Sequence, residues 1–367
     1  MLLIDFFINF LPKNISIKLV KKLNISADYV FIVHSRDYHD LNRKFSLLNN
    51  RVPYKILSFI GKYLFPIRLS YIYGLKYSNI EKRGLFIGSP MDASDMTKNR
   101  ELATKKILKA AKFAEKLGAK IIGLGALSAS FTRNGLDIKD KINCRLTTGH
   151  SYTAWVVSNN AIRMKNLTSK ELTIGIVGAA GSIGSSCYAV LTDHFKKFIL
   201  VDKDMEKLKS KFNLSSEKIL SYSSSLDIIK KADIIITATN APYSIIQSSN
   251  MLKEGTIIID DAQPLNASKK INSKNHRTLV IEGGVCNYKN IKYNFDLGLT
   301  DDGDIFSCMG ELITLAALDS NCTTIGDTNK EQIIRIKKMA NVIGIEPARF
   351  RSFGRPISDD YLKYILS

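Results

Sequence analysis

The stretch ELTIGIVGAAGSIGSS, residues 171–186, decides the fold of this chain. Its first half is an apolar run typical of a buried strand, and its second half has helical spacing. The turn between them contains Gly178, Gly181 and Gly184. Glycines there permit a tight turn and let the backbone approach a pyrophosphate, which binds the N–H groups at the helix start. We therefore predict a phosphate-binding loop made of Gly178, Ala179, Ala180, Gly181, Ser182, Ile183 and Gly184.

Short apolar strands alternate with helix-length segments after this loop. We expect strands in KFILVDKD (197–204), KADIIITATN (231–240), GTIIIDD (255–261) and LVIEGG (279–284). The alternation predicts an α/β fold with a doubly wound parallel sheet of the Rossmann type. Ligands bind at the carboxyl ends of such strands, so the run TATNAP up to Pro242 and the EGGV segment should border the cofactor. The residues predicted there are Thr237, Ala238, Thr239 and Gly284.

The end of the second strand bears on the choice of cofactor. Asp202 lies 24 residues after Gly178, where an acidic side chain accepts hydrogen bonds from an adenosine ribose and rejects a 2′-phosphate. Lys203, the next residue, would instead attract that phosphate. NADH and NADPH both stay open, with a lean to NADH, and an ordinary turn or cap role is the alternative for Asp202.

Three regions of different character divide the chain. We expect residues 1–165 to form a mixed α/β domain that binds substrate or partner. Residues 166–293 should form the dinucleotide-binding domain. Residues 294–367 should form a mainly helical segment that packs between these two domains. Within the first region we expect strands at 31–35 and 84–90, a helix over 99–120, a buried strand running into a turn over 121–131, and a helix from Ala154.

Composition narrows the function classes. Five scattered cysteines, with no C-x-x-C pair, favour a reducing cytosol over a disulfide framework, and no metal-ligand spacing is present. The formal net charge is +19, and residues 1–80 hold 12 Lys/Arg against four Asp/Glu. A solubilising surface, an acidic protein and an anionic lipid surface each account for this excess. Nucleic acid is the weakest partner, because no recognition motif accompanies the lysines.

The first 14 residues, MLLIDFFINFLPKN, are apolar but lack the basic start and cleavage site of a signal peptide. The run is shorter than the roughly 20 residues that a membrane-spanning helix needs. We therefore expect an amphipathic helix that lies on the protein's own core or on a membrane surface, so that the location is cytoplasmic or peripheral to a membrane.

A cysteine stands at the start of a second predicted helix. In GDIFSCMGELITLAALDSN (residues 303–321) the apolar positions follow helical spacing, and Cys308 falls in the first turns. The helix dipole and the unpaired N–H groups there favour a thiolate. The alternative is a small side chain packed against its neighbours, the ordinary role of many cysteines.

Three segments together resemble one family. These are TTGHSYTAWVV (147–157), IVGAAGSIGSS (176–186) and FSCMGELITLAAL (306–318). In this order they are similar to the long-chain fatty acyl-[acyl-carrier-protein] reductases known from cyanobacteria, which belong to a broader group of shikimate- and amino-acid-dehydrogenase-like proteins. The resemblance covers roughly residues 91–318, and the first 80 residues look divergent.

The resemblance implies an aldehyde-forming reductase. Its substrate would be an acyl thioester of acyl carrier protein or coenzyme A, its reductant a nicotinamide hydride, and its nucleophile Cys308. The pattern that carries this assignment is Phe306-x-Cys308-x-x-Glu311. Two positions depart from the family: its Asn after Thr-Thr-Gly is His150 here, and its arginine suited to NADPH is replaced by Val-Asp-Lys.

The chemistry suggests roles for the polar loop that precedes the helix expected from Ala154. Hydride addition to a thioester creates an oxyanion, which needs positioned donors. We predict Thr147, Thr148 and Gly149 as substrate-binding residues, and Ser151 and His150 as catalytic ones. His150 would lower the pKa of Cys308 or protonate the departing thiolate, and a surface loop histidine is the alternative. Glu311 is expected to act as a helix cap.

Two other functions stay open. The first is a short-chain-dehydrogenase-like sugar-nucleotide or hydroxyl oxidoreductase, for which Tyr288 and Lys292 would need to share one helix face. The second is a cofactor-binding scaffold without catalysis, supported by the basic and apolar N-terminus. Loss of activity on changing Cys308 separates the reductase from the first, and turnover of any acyl thioester excludes the second.

Overall fold

The computed structural model describes residues 1–35, 53, 56, 59, 61, 63–125, 127–241 and 243–367. Its first region contains, in chain order, α1 (Leu2–Phe10), α2 (Lys13–Lys22), β1 (Tyr29–Ser35), β2 (Ile67–Tyr77), β3 (Ile80–Asp92), α3 (Ala93–Lys98), α4 (Arg100–Lys116), β4 (Ile121–Leu124), α5 (Leu127–Phe131), β5 (Arg145–Thr147) and α6 (His150–Lys165).

The second region contains β6 (Thr173–Val177), α7 (Ser182–Leu191), β7 (Lys197–Val201), α8 (Met205–Lys211), β8 (Ile219–Ser223), β9 (Ile234–Thr237), β10 (Ile257–Asp260) and β11 (Leu279–Glu282). The remainder contains β12 (Val285–Asn287), β13 (Lys292–Tyr293), β14 (Asp304–Phe306), α9 (Ser307–Ala317), α10 (Lys330–Ile343), β15 (Glu346–Pro347), β16 (Arg351–Ser352), β17 (Arg355–Pro356) and α11 (Asp359–Leu366).

Within the described residues, the first sheet has six strands in the order β13-β2-β3-β1-β4-β5. Strands β3, β1, β4 and β5 run parallel, while β2 and β13 are antiparallel to their neighbours. Helix α4 covers one face with its buried Ile107, Ala110 and Phe113. Helix α9 covers the other, where Leu312 lies so close to Gly123 of β4 that a Cβ at Gly123 would stand 2.9 Å from it. Helix α9 is therefore part of the core beside the first sheet.

The second sheet confirms the Rossmann-type expectation. Its described strands are all parallel, in the order β11-β10-β9-β6-β7-β8. Helices α6, α7 and α11 bury one face, and the turn Leu226–Lys231 with loops beyond it buries the other. The near-continuous isoleucine runs of β9 and β10 follow from burial on both faces. The strand order reverses between β9 and β6, which creates a crevice at the carboxyl ends of these strands.

Helices α9 and α10 pack against α6. Helix α11 instead belongs to the second sheet, because Leu362, Ile365 and Leu366 are buried in its core.

The structure differs from the sequence-based expectations at several elements. The strand expected over residues 121–131 ends at Leu124, and residues 127–131 are helix α5. Helix α6 begins at His150, four residues before the expected start. Strand β8 was not expected, because its alternating exposure leaves only a weak apolar signal. Strand β13 lies within the range assigned to the dinucleotide-binding domain but pairs with β2 of the first sheet.

Candidate functional site

Cys308 lies in the first turn of α9, directly after β14. Its side chain is half-buried. The neighbouring Ser307 N–H donates to the Gly284 carbonyl at 2.9 Å, which ties the start of α9 to the end of β11. The start of this helix therefore lies at the carboxyl edge of the second sheet, where a parallel α/β sheet binds its ligands.

Gly149 brings the start of α6 against the same cysteine. It has φ +73°, and a Cβ at this position would lie 2.2 Å from the Cys308 Cα and 2.3 Å from the Cys308 Cβ. Only glycine fits, for reasons of both backbone conformation and space. The starts of α6 and α9 are thus in direct contact, and the Thr-Thr-Gly-His loop borders the thiol.

The buried carboxylate of Glu311 holds these two helix starts together. Its Oε1 accepts hydrogen bonds from the hydroxyls of Thr147, at 2.7 Å, and Thr324, and its Oε2 accepts the Tyr152 N–H at 2.7 Å. Burial raises the pKa of Glu311, and these hydrogen bonds oppose the rise. Glu311 therefore caps the start of the neighbouring α6, and the expectation that it would reach back to cap its own helix is wrong.

His150 joins this loop to the predicted phosphate loop. Its Nδ1 lies 3.0 Å from the Ser182 Oγ at the start of α7. Burial lowers the pKa of His150 to about 4, while the charge of Asp327 acts in the opposite direction. The imidazole is therefore neutral at pH 7, and the alternative of an ordinary solvated loop histidine does not apply.

The phosphate loop has the geometry that its glycines predict. Gly178 has φ +84°, and a Cβ there would lie 2.5 Å from the Ala238 carbonyl oxygen. A Cβ at Gly184 would lie 2.2 Å from the Gly178 carbonyl oxygen, so α7 packs directly on the loop. Helix α7 begins after Gly181 with no side-chain cap. Its first N–H groups thus lack a side-chain acceptor at the position where a phosphate would bind.

Asp202 closes the loop from the neighbouring strand. Its Oδ2 accepts the Ala180 N–H at 2.8 Å, and its Oδ1 accepts the Asp204 N–H at 3.0 Å. Asp202 therefore does act as a turn residue, and it borders the site at the same time. Lys203 next to it is exposed and also borders the site.

One continuous cavity of about 1440 Å³ connects the two domains. The residues predicted from sequence that line it are Cys308, His150, Thr148, Gly178, Gly181, Ser182, Ile183, Asp202, Lys203, Ala238, Thr239 and Gly284. The first domain and the loops around Phe295 and Phe306 contribute apolar side chains beside the polar Thr97, Arg100, Arg133 and Asn134; the apolar ones are Phe31, Val33, Leu127, Phe131, Leu136, Phe295, Leu297, Leu299 and Phe306. The thiol and the phosphate loop therefore open into one space.

Other predicted residues lie behind the cavity wall. Ala179, Ala180 and Thr237 are fully buried, and Gly149, Gly184 and Thr147 serve the packing and hydrogen bonds described above. Ser151 is also fully buried, and its Oγ lies 2.7 Å from the Thr328 Oγ1. The contacts of Ser151 are structural, so its catalytic role stays a prediction.

A pair of aspartates at the end of β10 escaped the sequence-based reasoning. Asp260 accepts hydrogen bonds from the Thr237 hydroxyl and the Ala267 N–H, both at 2.7 Å, and burial raises its pKa to about 6. Asp261 lines the cavity, and burial with the adjacent Asp260 charge raises its pKa well above the usual range. A Cβ at Gly284 would stand 2.1 Å from the Asp261 Oδ1. The only sequence signal was the polar pair directly after an apolar strand.

His34, which the sequence analysis did not single out, borders the cavity, and the tyrosine–lysine pair differs from expectation. His34 is buried at the end of β1, where it borders the cavity and its Nε2 accepts the Leu127 N–H at 3.3 Å. Tyr288 is buried in the loop after β12, whereas Lys292 is exposed on strand β13. They do not share a helix face, so the arrangement needed for a short-chain-dehydrogenase-like site is absent. Pro242, at the end of the TATNAP run, lies outside the described residues.

Neither a metal site nor a membrane span is found in the part of the chain that the structure describes. There, no group of three or more His, Cys, Asp or Glu side chains is placed to hold a metal ion. No helix within the same residues combines the length and the apolar character required to cross a membrane.

Residues 161–281 match the model of the shikimate/quinate 5-dehydrogenase family. This stretch runs from α6 through β11, so it holds the phosphate loop and most of the second sheet. The match covers about a third of the chain, and it supports a nicotinamide-dependent oxidoreductase. No curated protein matches the sequence.

The chain is also similar in fold to solved dehydrogenases. Shikimate dehydrogenase from Aquifex aeolicus has 13% identity and a TM-score of 0.37, with 85% of this chain and 98% of that chain covered. L-Tryptophan dehydrogenase from Nostoc punctiforme has 10% identity and a TM-score of 0.37, with 93% and 87% covered. The chain covers a smaller share of the length of other similar structures, for example 34% of CmnK.

Gly149→Ala should destabilise the protein more than the same change at a glycine whose Cβ would have no neighbours. Both Gly149 and Gly344 have positive φ, but a Cβ at Gly344 meets nothing within 4 Å. We expect Gly344→Ala to cost about 1–2 kcal/mol of unfolding free energy, and Gly149→Ala to cost about 1–3 kcal/mol more because it overlaps Cys308. Denaturant unfolding of both variants measures this difference, and equal losses would contradict the contact.

The neutral state of His150 predicts a specific pH behaviour. Its pKa is lowered to about 4, so no imidazolium stands beside the thiol between pH 6 and 9. The alkylation rate of Cys308 should therefore rise with the same pH midpoint in the parent and in His150→Gln. Iodoacetamide labelling followed by mass spectrometry gives both midpoints. A midpoint about one unit higher in the variant would show that a charged His150 stabilises the thiolate.

Proposed function

We propose that this protein reduces a fatty acyl thioester to the aldehyde, with a nicotinamide cofactor as reductant and Cys308 as the acyl acceptor. The observation that carries the proposal is the position of Cys308. It lies in the first turn of α9 and lines the same cavity as the phosphate loop, with the Gly284 carbonyl bonded to the preceding residue.

The residues present fit a dinucleotide. The tight approach of Gly178 and Gly184, and the uncapped start of α7, make room and supply N–H donors for a pyrophosphate. Asp202 at the end of β7 would take the ribose, and Ala238, Thr239 and Gly284 border the space for the nicotinamide. When bound, the cofactor would supply a hydride to the carbonyl carbon of the substrate.

The apolar part of the cavity fits an acyl chain. Nine apolar side chains from the first domain and from loops around Phe295 and Phe306 line the cavity that Cys308 also borders. Apolar walls with a few polar groups are the usual form of a site for a lipophilic ligand. The thioester would arrive on acyl carrier protein or on coenzyme A, and both carriers belong in the first assay.

The chain's own residues then have defined parts. The Cys308 thiolate attacks the thioester carbonyl, forms a new thioester and releases the carrier thiolate, which takes up a proton. After reduction of the carbonyl, the tetrahedral oxyanion collapses, the aldehyde leaves and the Cys308 thiolate is restored. His150, neutral and bonded to Ser182, is available as a hydrogen-bond donor or acceptor. Asp261 also lines the cavity, and because its raised pKa favours the protonated form, its carboxyl group can donate a proton there.

A second candidate is the oxidation or reduction of a hydroxyl group. The family-model match over residues 161–281 favours it, because it concerns shikimate and quinate dehydrogenases. Such a reaction needs the same cofactor domain but no nucleophile, so it would leave the position of Cys308 without a purpose. A scaffold without catalysis is the third possibility, and it would show no turnover with any thioester.

Cys308→Ala should abolish aldehyde formation, with activity reduced at least 10³-fold because no acyl-enzyme can form. Cofactor affinity, measured by titration, should stay within about twofold of the parent. Cys322→Ala is the matched control, since Cys322 is half-buried and does not border the cavity. Mass spectrometry of the parent with acyl thioester and no reductant should show the acyl group on Cys308. Normal aldehyde production by Cys308→Ala would reject the proposal.

Asp202→Asn tests the cofactor preference that we propose, which is NADH. The amide oxygen can keep the hydrogen bond from the Ala180 N–H, while the charge that repels a 2′-phosphate is removed. We expect the ratio of kcat/KM for NADH to that for NADPH to fall about tenfold, equivalent to about 1.4 kcal/mol. Lys203→Ala should change the ratio in the opposite direction. A parent enzyme that prefers NADPH would identify Lys203 as the stronger contact.

A further inference from the structure

Helix α1 is fixed to the first domain by its polar groups. The Asp5 side chain is fully buried and pairs with Arg68, whose Nε lies 2.5 Å from the Asp5 Oδ1. The Arg68 N–H also donates to the Asp5 Oδ2 at 3.1 Å, and the Asn9 amide donates to the Pro66 carbonyl at 3.0 Å. Lys116 of α4 closes the end of α1 by donating to the carbonyls of residues 8, 9 and 11 at 2.8–2.9 Å.

This anchoring turns most of the apolar residues outward. Ile8 alone among the apolar residues of α1 is fully buried. The outward residues are Leu2, Leu3, Phe6, Phe7 and Phe10, which we call the apolar face of α1. Leu3 is 69% exposed and Phe10 68% exposed. Phe6 and Phe10 lie with ring centroids 4.7 Å apart, so the rings form one surface. A contiguous exposed surface of this kind marks a binding site.

Helix α2 borders the apolar face with positive charge. Lys13, Lys18, Lys21 and Lys22 are all exposed. The single acidic residue among residues 1–23 is Asp5, and its charge is buried against Arg68. Lys13 lies 3.9 Å from the largely buried Glu115 of α4, so the exposed positive charge beside α1 is carried chiefly by Lys18, Lys21 and Lys22 of the adjoining helix.

We propose that α1 and α2 bind an anionic bilayer surface, with the apolar face inserted among the acyl chains and the lysines at the headgroups. Phenylalanine and leucine on one face with lysines beside them suit the interface, where an apolar face is buried about 5–10 Å deep. Each lysine near an anionic surface adds about 1 kcal/mol. Nine helical residues, about 14 Å long, are too short to span the bilayer. The chain would therefore lie on the membrane.

Two other occupants explain fewer of these observations. A symmetric dimer through the apolar face would use the same patch on both copies. The lysines that border the patch on one copy would then lie close to those of the other, and the two positive charges would repel. An acidic protein would pair with the lysines but would leave the phenylalanines without a purpose. A bilayer with anionic headgroups uses both features.

The experiment is co-sedimentation of the full-length protein with vesicles of phosphatidylcholine alone or with about 30% phosphatidylglycerol, which supplies the anionic surface. We expect binding to the anionic vesicles, weakened at least tenfold by high salt and by the double change Lys18→Glu and Lys21→Glu. The double change Phe7→Ser and Phe10→Ser should weaken it at least tenfold at any salt. The matched control is Leu220→Ser with Val342→Ser, which alters exposed apolar side chains elsewhere and should bind like the parent.

Tryptophan quenching locates the helix. Trp155 is half-buried on α6, far along the chain from α1, and is the only tryptophan of the parent. In Phe10→Trp, brominated acyl chains should quench the new fluorescence and leave that of Trp155 unchanged. Melting temperatures near that of the parent show that all the variants fold.

Several results would overturn the proposal. These are no binding to anionic vesicles, equal binding by the Phe7→Ser/Phe10→Ser variant, and fluorescence of the vesicle-bound Phe10→Trp variant that brominated lipid does not quench. Dimerisation that the serine variant abolishes, without vesicle binding, would assign the face to a second copy. The inference does not depend on the proposed function, since none of the altered residues borders the cavity.

Discussion

The hydrogen bonds to the buried Glu311 carboxylate hold the candidate site in shape. They join α9 to the loop before α6 and to Thr324, and so bring elements of three chain regions to one point. A buried carboxylate is costly unless its oxygens are satisfied, and Glu311 has acceptor bonds on both. The same contacts supply an acceptor for N–H groups at the start of α6. The position of Cys308 one turn earlier on α9 follows from this arrangement.

Close backbone approach is the second constraint. Gly149 at the thiol, and Gly178 and Gly184 at the phosphate loop, leave no room for a Cβ. Steric exclusion of this kind fixes distances between elements more tightly than side-chain packing does, because backbone atoms cannot rotate away. The two loops that border the cavity are therefore set by glycines, while His150 and Ser182 connect them.

In α1 the polar side chains are paired with the rest of the first domain, whereas most of the apolar side chains are exposed. Helix α1 forms a buried ion pair with Arg68, donates an amide hydrogen bond to the Pro66 carbonyl and accepts hydrogen bonds from the Lys116 ammonium. Its phenylalanines remain exposed. Folding alone does not favour this orientation, since burial of those rings would be worth about 1.5–3 kcal/mol each. The orientation is consistent with a role for the rings beyond the protein's own core.

The sequence by itself determined five of the six strands of the second sheet, the phosphate loop and the helix that bears Cys308. Those features follow from periodicity and from glycines spaced within a few residues, which are local properties. Tertiary structure decided the rest. It joined Glu311 to Thr147 across 164 residues and His150 to Ser182 across 32, brought Asp261 and His34 to the cavity, and sent Ser151 behind its wall. No local pattern encodes such contacts, because they depend on which strands pair and on which helix covers which face.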